Sequence, residues 1–141
     1  MIKIETYEKV IFETIKRGAT EISKDVKDAF ERAIEKETKP DAKKGLIATL
    51  KSMEMSKVRE NPLCVDTGWP IFYFIVGNDC EIEGGFMELE NATRRAVAKA
   101  TDKGYIRATM KHPLTGYDQG ITWGKIFLTL LINLLREKTL K

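Results

Sequence analysis

Over the first sixty residues the apolar positions recur at helical spacing. Tyr7, Val10, Ile11, Thr14 and Ile15 fall on one face, with Lys and Glu filling the others. Ser23 stands where a helix N-cap belongs, ahead of Val26, Phe30 and Ile34. Lys39-Pro40-Asp41 interrupts the pattern, and a third helix is predicted through Ala42, Leu46, Ile47, Leu50 and Met53. The intervening charges read as solvated helix faces. Asn61-Pro62 closes the helical region, because the residue before proline is pushed out of the α conformation.

The pattern then changes. Trp69 to Val76 (WPIFYFIV) is uncharged and rich in aromatic and β-branched residues, which predicts a strand buried on both faces. Gly77-Asn78-Asp79 reads as a turn, and Glu81-Ile82-Glu83 as a short return strand ending at Gly84-Gly85. Met87 to Thr101 returns to helical spacing through Leu89, Ala92, Ala96, Val97 and Ala100, and Lys103-Gly104 closes that helix. Tyr105 to Met110 reads as a short extended segment before the loop His112-Pro113-Leu114-Thr115-Gly116. This order predicts an α+β fold, with N-terminal helices followed by a small sheet with a packed helix.

With 141 residues the chain is sized for one domain and can bury a core without disulfides. Twenty-four Lys+Arg against 21 Asp+Glu leave a net charge of +3, too small an excess to argue for nucleic acid. Trp69, Phe72, Tyr73 and Phe74 could stack bases, but no basic stripe frames them. The N-terminus alternates charged and apolar residues, unlike a signal peptide, and the apolar stretch Ile126–Leu135 is too short to span a bilayer. No membrane association and a reducing, cytoplasmic setting are expected.

Candidate chemistry is concentrated in Asn61-Pro62-Leu63-Cys64-Val65-Asp66-Thr67-Gly68. It places a thiol, a carboxylate, a hydroxyl and a glycine within five residues, in a loop ahead of a strand. A thiolate is a soft metal ligand, and Asp with Thr can hydrogen-bond a polar substrate. Equally, a lone cysteine is commonly a small buried hydrophobe, and Asp-Thr-Gly a turn. The two cysteines, Cys64 and Cys80, lack zinc-site spacing. The single histidine, His112, is of the residue type suited to general acid or base work, but a lone loop histidine is more often only exposed, and no role is assigned to it.

The order of residues from Cys64 to Gly68 resembles the Cys-Gln-Asp-Thr-Gly signature of the class I (iron–sulfur) fumarases and the related tartrate dehydratases. The chain is similar to their α subunit, or to the N-terminal half of the single-chain forms. The hydrophobic strand Trp69–Val76, the turn Gly77–Asp79, the helix with Arg94 and Arg95, the segment Tyr105-Ile106-Arg107 and the Pro113-Leu114-Thr115 loop follow in the family's order. The resemblance covers residues 1–116 and leaves 117–141 as a divergent tail. It implies that Cys64 is one of three thiolates on a [4Fe–4S] cluster whose open iron acts as a Lewis acid. It places Asp66 and Thr67 in the substrate pocket. Arg95 and Arg107 are candidates for clamping a small dicarboxylate (fumarate/malate or tartrate/oxaloacetate), which a guanidinium matches bidentately. A β subunit and a homo-oligomer are the implied partners.

Two departures follow. Val65 stands in place of the family's Gln, and the other two cluster cysteines have no counterpart, since Cys80 lies in a turn that the family pattern lacks. The isolated chain is therefore expected not to hold a catalytic cluster, and a non-catalytic truncated remnant or interaction module is the competing reading. After Tyr117-Asp118 the family continues with a stretch like Asn-Thr-Gly-Asp-Asn-x-Gly-x-Asn-Ile-Pro. Codons rebuilt from the third base of each residue and the first two of the next permit Ser-Gly-Asp-Asn-Met-Gly-Glu-Asn-Ile-Pro-Tyr-Ile here. A frameshift near Tyr117-Asp118 is thus one expectation. The other is a native apolar or amphipathic helix over Lys125 to Leu135. Both can hold together, since an out-of-frame apolar run can fold as a helix against the domain or leave an apolar patch that drives self-association.

Overall fold

The computed structural model describes residues 1–64, 70–108, 114–117 and 129–135. In chain order the elements are α1 (Ile4–Thr20), α2 (Lys24–Lys36), α3 (Pro40–Arg59), β1 (Ile71–Gly77), α4 (Gly85–Asp102) and β2 (Thr129–Leu135). The architecture is a small α+β domain, mostly helical, as the order of elements predicts.

The core lies between α1 and α4. Tyr7 and Ile11 of α1 meet Leu89, Ala92 and Ala96 of α4, and Ile2, Phe12, Phe72, Phe74 and Ile82 close over them. Ala92, Ala96, Val97 and Ala100 are fully buried, so α4 presents a face of small side chains that lets α1 approach closely. Buried Thr93 satisfies its hydroxyl by donating to the Leu89 carbonyl at 2.7 Å. Cross-contacts ascend together along both helices: Glu8 reaches Arg95, and Phe12 sits under the Lys99 ammonium. The two helices therefore run in parallel.

Their common starting point is a stitched N-terminus. The Ile2 N–H donates to the Glu81 carbonyl at 2.7 Å, and the Glu83 N–H returns a bond to the Ile2 carbonyl at 3.0 Å. Lys3 offers α1 no side-chain cap. Glu83 supplies the cap from 79 residues away, its Oε2 accepting the Ile4 N–H at 2.9 Å. Tyr7 Oη donates to the Glu83 carbonyl at 2.9 Å. Gly84 carries φ +77° immediately before α4, and a Cβ there would lie 2.5 Å from Glu88 Cβ, so glycine is required on both counts.

Four readings of the chain are corrected or refined here. Glu81-Ile82-Glu83 is not a return strand against β1; Ile82 forms an isolated parallel bridge with Ile2, a pairing no local signal reveals. β1 is covered on one face only. Phe72 and Phe74 are half-buried and Val76 buried, whereas Ile71, Tyr73 and Ile75 are exposed. Thr129–Leu135 is a strand and not a helix, paired parallel to β1 with Ile71 opposite Thr129 and Gly77 opposite Leu135; a short apolar run does not by its periodicity distinguish the two. Tyr105–Ala108 is a bend and loop, and the remainder of that expected extended segment, with His112 and Pro113, lies outside the described residues. Other signals behave as read: Pro40 opens α3 at its first turn, Ser23 takes the N-cap position of α2, and Gly104 (φ +77°) closes α4.

α2 and α3 form a hairpin with no buried residue in either helix. Lys27–Glu54 at 2.7 Å ties them to each other. Lys57–Glu21 at 3.2 Å and Lys16–Glu60 at 2.7 Å tie α3 to the end of α1.

The Glu83 cap makes a pH prediction. Its carboxyl is held below the ordinary glutamate range, first by the Ile4 N–H and then by Lys3. A depressed folded-state pKa contributes stability that is complete above the unfolded value and is lost as pH falls through the folded value. Thermal melts of wild type and Glu83→Gln should differ at neutral pH, wild type being the more stable. The difference should close as pH drops below about 4. A gap that persists unchanged into acid would contradict the assignment.

Candidate functional site

The C-terminal half of α1 is where the candidate chemistry gathers. α3 ends on Glu60 in the left-handed conformation (φ 52°), and the Asn61 N–H closes the helix by donating to the Ser56 carbonyl at 3.1 Å. Glu60 then accepts Lys16 Nζ at 2.7 Å. This raises the Lys16 ammonium above its ordinary range, the hydrogen bond to Glu60 being the leading cause. Pro62 ends the turn, and the Leu63 N–H donates to the Ala19 carbonyl at 2.8 Å. That bond pins the entry to the candidate loop against the last turn of α1 and leaves Cys64 exposed beside it.

A second segment reaches the same half of α1 from α4. The Tyr105 N–H donates back to the Ala100 carbonyl at 2.9 Å, turning the chain sharply after Gly104. The Tyr105 ring packs edge-on against Phe12, with centroids 6.0 Å apart, and Lys16 Nζ lies 5.8 Å from its centre. Arg107 follows two residues later and is exposed. Lys16 is thus the hub between the approach to Cys64 and the approach to Arg107. Nothing in the local pattern signals this role, because Lys16 reads as one more solvated charge on an amphipathic helix.

Arg95 lies elsewhere. Its Nε donates to Glu8 Oε2 and its Nη2 to Glu88 Oε1, each at 2.8 Å. Glu88 is held below the ordinary carboxylate range, with the Arg95 hydrogen bond the leading cause and Asn91 the next. Glu8 precedes Lys16 by eight helical residues, about 12 Å of rise. The structure therefore separates Arg95 from the Cys64 end of α1 and places it in a bridge between α1 and α4. Neighbouring Arg94 turns back to Glu90 on its own helix. Asp66 and Thr67, with Val65, Gly68 and Trp69, lie outside the described residues.

The thiol donors do not fit the implied cluster. A [4Fe–4S] cluster is held by several cysteine thiolates. The chain has two cysteines, Cys64 exposed at the end of α1 and Cys80 half-buried after the β1 turn. Among the described residues no three His, Cys, Asp or Glu side chains are grouped to hold a metal ion. A cavity of about 370 Å³ between α1 and β1 is lined by Tyr7, Val10, Ile11, Phe72, Phe74 and other uncharged residues. None of the described residues lining it is a cation that would receive a carboxylate.

Comparison with known proteins gives the family. Residues 8–126 match the fumarate hydratase (Fumerase) family, and the chain belongs to it. Over 106 residues it is 31% identical to a protein of Methanocaldococcus jannaschii named as an L(+)-tartrate dehydratase subunit alpha, a segment covering 75% of this chain and 37% of that protein. Over 116 residues it is 26% identical to a class I fumarate hydratase named from Geobacillus stearothermophilus, covering 82% of this chain and 22% of that protein. The chain thus spans well under half the length of these curated relatives.

The two cysteines differ in access, and that difference is measurable. Brief alkylation of the native protein, followed by peptide mass spectrometry, should label Cys64 ahead of Cys80. Labelling of Cys80 first would contradict the placement of the candidate loop.

Proposed function

We propose that this chain is a component of an iron–sulfur hydro-lyase acting on a small dicarboxylate, of the fumarate/malate or tartrate/oxaloacetate type. The observation that carries the reading is the family match across residues 8–126, which contains the Cys64–Gly68 segment. In this reading Cys64 supplies one cluster thiolate, and Asp66 and Thr67 face the substrate. Arg107 is favoured over Arg95 as the carboxylate clamp. Its segment arrives at the same half of α1 as Cys64, whereas Arg95 lies about 12 Å of helical rise away, in the α1–α4 contact. The remaining thiolates come from outside this chain, which is inactive alone. A β subunit is the expected hetero-partner, in keeping with the subunit naming of the M. jannaschii relative. The chain also self-associates. Among the described residues no helix is long and apolar enough to cross a membrane, and a cytoplasmic location is part of the proposal.

One observation favours a second reading. Two cysteines in the whole chain are too few for a cluster, which suits a non-catalytic remnant that keeps the fold and binds a partner. Anaerobic reconstitution with iron and sulfide separates the two. The isolated chain should retain less than stoichiometric cluster. Addition of a partner polypeptide carrying further family cysteines should restore it, and Cys64→Ser should abolish that gain. Stoichiometric cluster in the isolated chain would overturn the inactive-alone reading. No cluster with any partner would overturn the component reading.

Residues 1–116 are proposed as the family-like region and 117–141 as a divergent tail read out of frame, although the family match runs on to residue 126. Resequencing the gene through codon 141 tests this. The frame starting on the third base should stay open and encode two further cysteines. Early stops in that frame would make the tail native.

A further inference from the structure

Two segments converge on one stripe of α1. Phe12 and Lys16 stand four residues apart and share a helix face, and Ala19 follows a turn further on. The Tyr105 ring rests on the first two, edge-on to Phe12 at 6.0 Å and 5.8 Å from Lys16 Nζ. From the end of α3, Glu60 accepts Lys16 Nζ at 2.7 Å, and three residues on the Leu63 N–H donates to the Ala19 carbonyl at 2.8 Å. Lys57–Glu21, at 3.2 Å, also joins α3 to the end of α1, but among the described residues it meets no ring from the segment after α4. The Lys57 side chain is 65% exposed against 21% for Lys16, so solvent screens it more strongly.

One ammonium thus serves both segments. A lysine carries three donors on a flexible stem, so it can hold a carboxylate and lie against an aromatic ring at once. If the Tyr105 ring shifts, the ammonium loses a neighbour that fixes its rotamer, and its bond to Glu60 weakens. If Glu60 lets go, the ammonium is free to leave the ring. Two contacts that share one side chain are coupled. We propose that Lys16 is a positioning residue that couples the approach to Cys64 with the approach to Arg107, so that the two segments are ordered together. The coupling concerns this chain's own residues; its bearing on substrate rests on the hydro-lyase reading above. For a dicarboxylate that meets both segments, joint ordering fixes the span between them.

Backbone amide hydrogen exchange of the full chain tests this without cluster or substrate. Its failure leaves the hydro-lyase reading untouched, and a failed reconstitution leaves the coupling untouched. The Leu63 N–H reports the approach to Cys64. The Tyr105 N–H, bonded to the Ala100 carbonyl at 2.9 Å, reports the approach to Arg107. Tyr105→Leu should speed exchange at Leu63, and Glu60→Gln should speed exchange at Tyr105, each roughly two- to fivefold, the range of a partly exposed cation–π contact. In a Lys16→Met background neither substitution should add to the rate. Lys57→Met should leave the Tyr105 amide unchanged. The amides of Ala96 and Val97, in the fully buried face of α4, should keep their rates throughout and so separate a local effect from global loosening. The absence of either cross-effect, cross-effects of equal size with Lys16→Met, a Lys57→Met effect matching that of Glu60→Gln, or equal acceleration at Ala96 and Val97 would each overturn the proposal.

Discussion

The close parallel seating of α1 on α4 is the contact on which the rest of this structure depends. It is possible because α4 turns alanines inward at 92, 96 and 100, so the backbones approach without displacing larger side chains. Parallel helices must start together, and the Ile2–Ile82 bridge and the Glu83 cap supply that common origin. The ends follow from the beginnings. With the starts stitched, the last turn of α1 and the turn after α4 emerge on the same side, and the segments leading to Cys64 and Arg107 are delivered to neighbouring positions.

That geometry separates two arginines that look equivalent in sequence. Arg95 sits within the α1–α4 contact and holds one carboxylate from each helix. A guanidinium so engaged can take a substrate carboxylate only by surrendering Glu8 or Glu88. Arg107 sits past the end of the contact, in a segment whose anchoring falls to Tyr105.

Much of the fold was legible in the chain. Helical spacing in α1 and α4, the Lys39-Pro40-Asp41 break and the Lys103-Gly104 stop each rest on local physics that neighbours do not override. What was not legible is non-local. The MIKI start reads only as an alternation of charged and apolar residues until Glu81–Glu83 is brought to it, and Glu83 reads as a strand residue until it caps a helix 79 residues earlier. The burial of β1 was overestimated for a related reason. An uncharged run is consistent with cover on both faces, but the second layer must come from somewhere, and no further helix in the described residues provides it. The Leu-rich run at 129–135 fits either secondary structure, and pairing with β1 decides it. For the site, the signature Cys64–Gly68 marked the family. The hub role of Lys16 could not be read, because its partners come from the ends of α3 and α4.

The cysteine count and the uncovered strand converge on one physical statement. A cluster needs thiolates converging from several directions, and a parallel pair needs layers on both faces; the chain has two cysteines, and among the described residues no layer covers the outer side of β1. Its α1–α4 core is filled, with Thr93 satisfied and the alanine face packed. Its sheet half exposes Ile71, Tyr73 and Ile75 to water. Burying that stripe gains roughly 25 cal/mol for each Å² removed from solvent. No charge on the stripe opposes the burial.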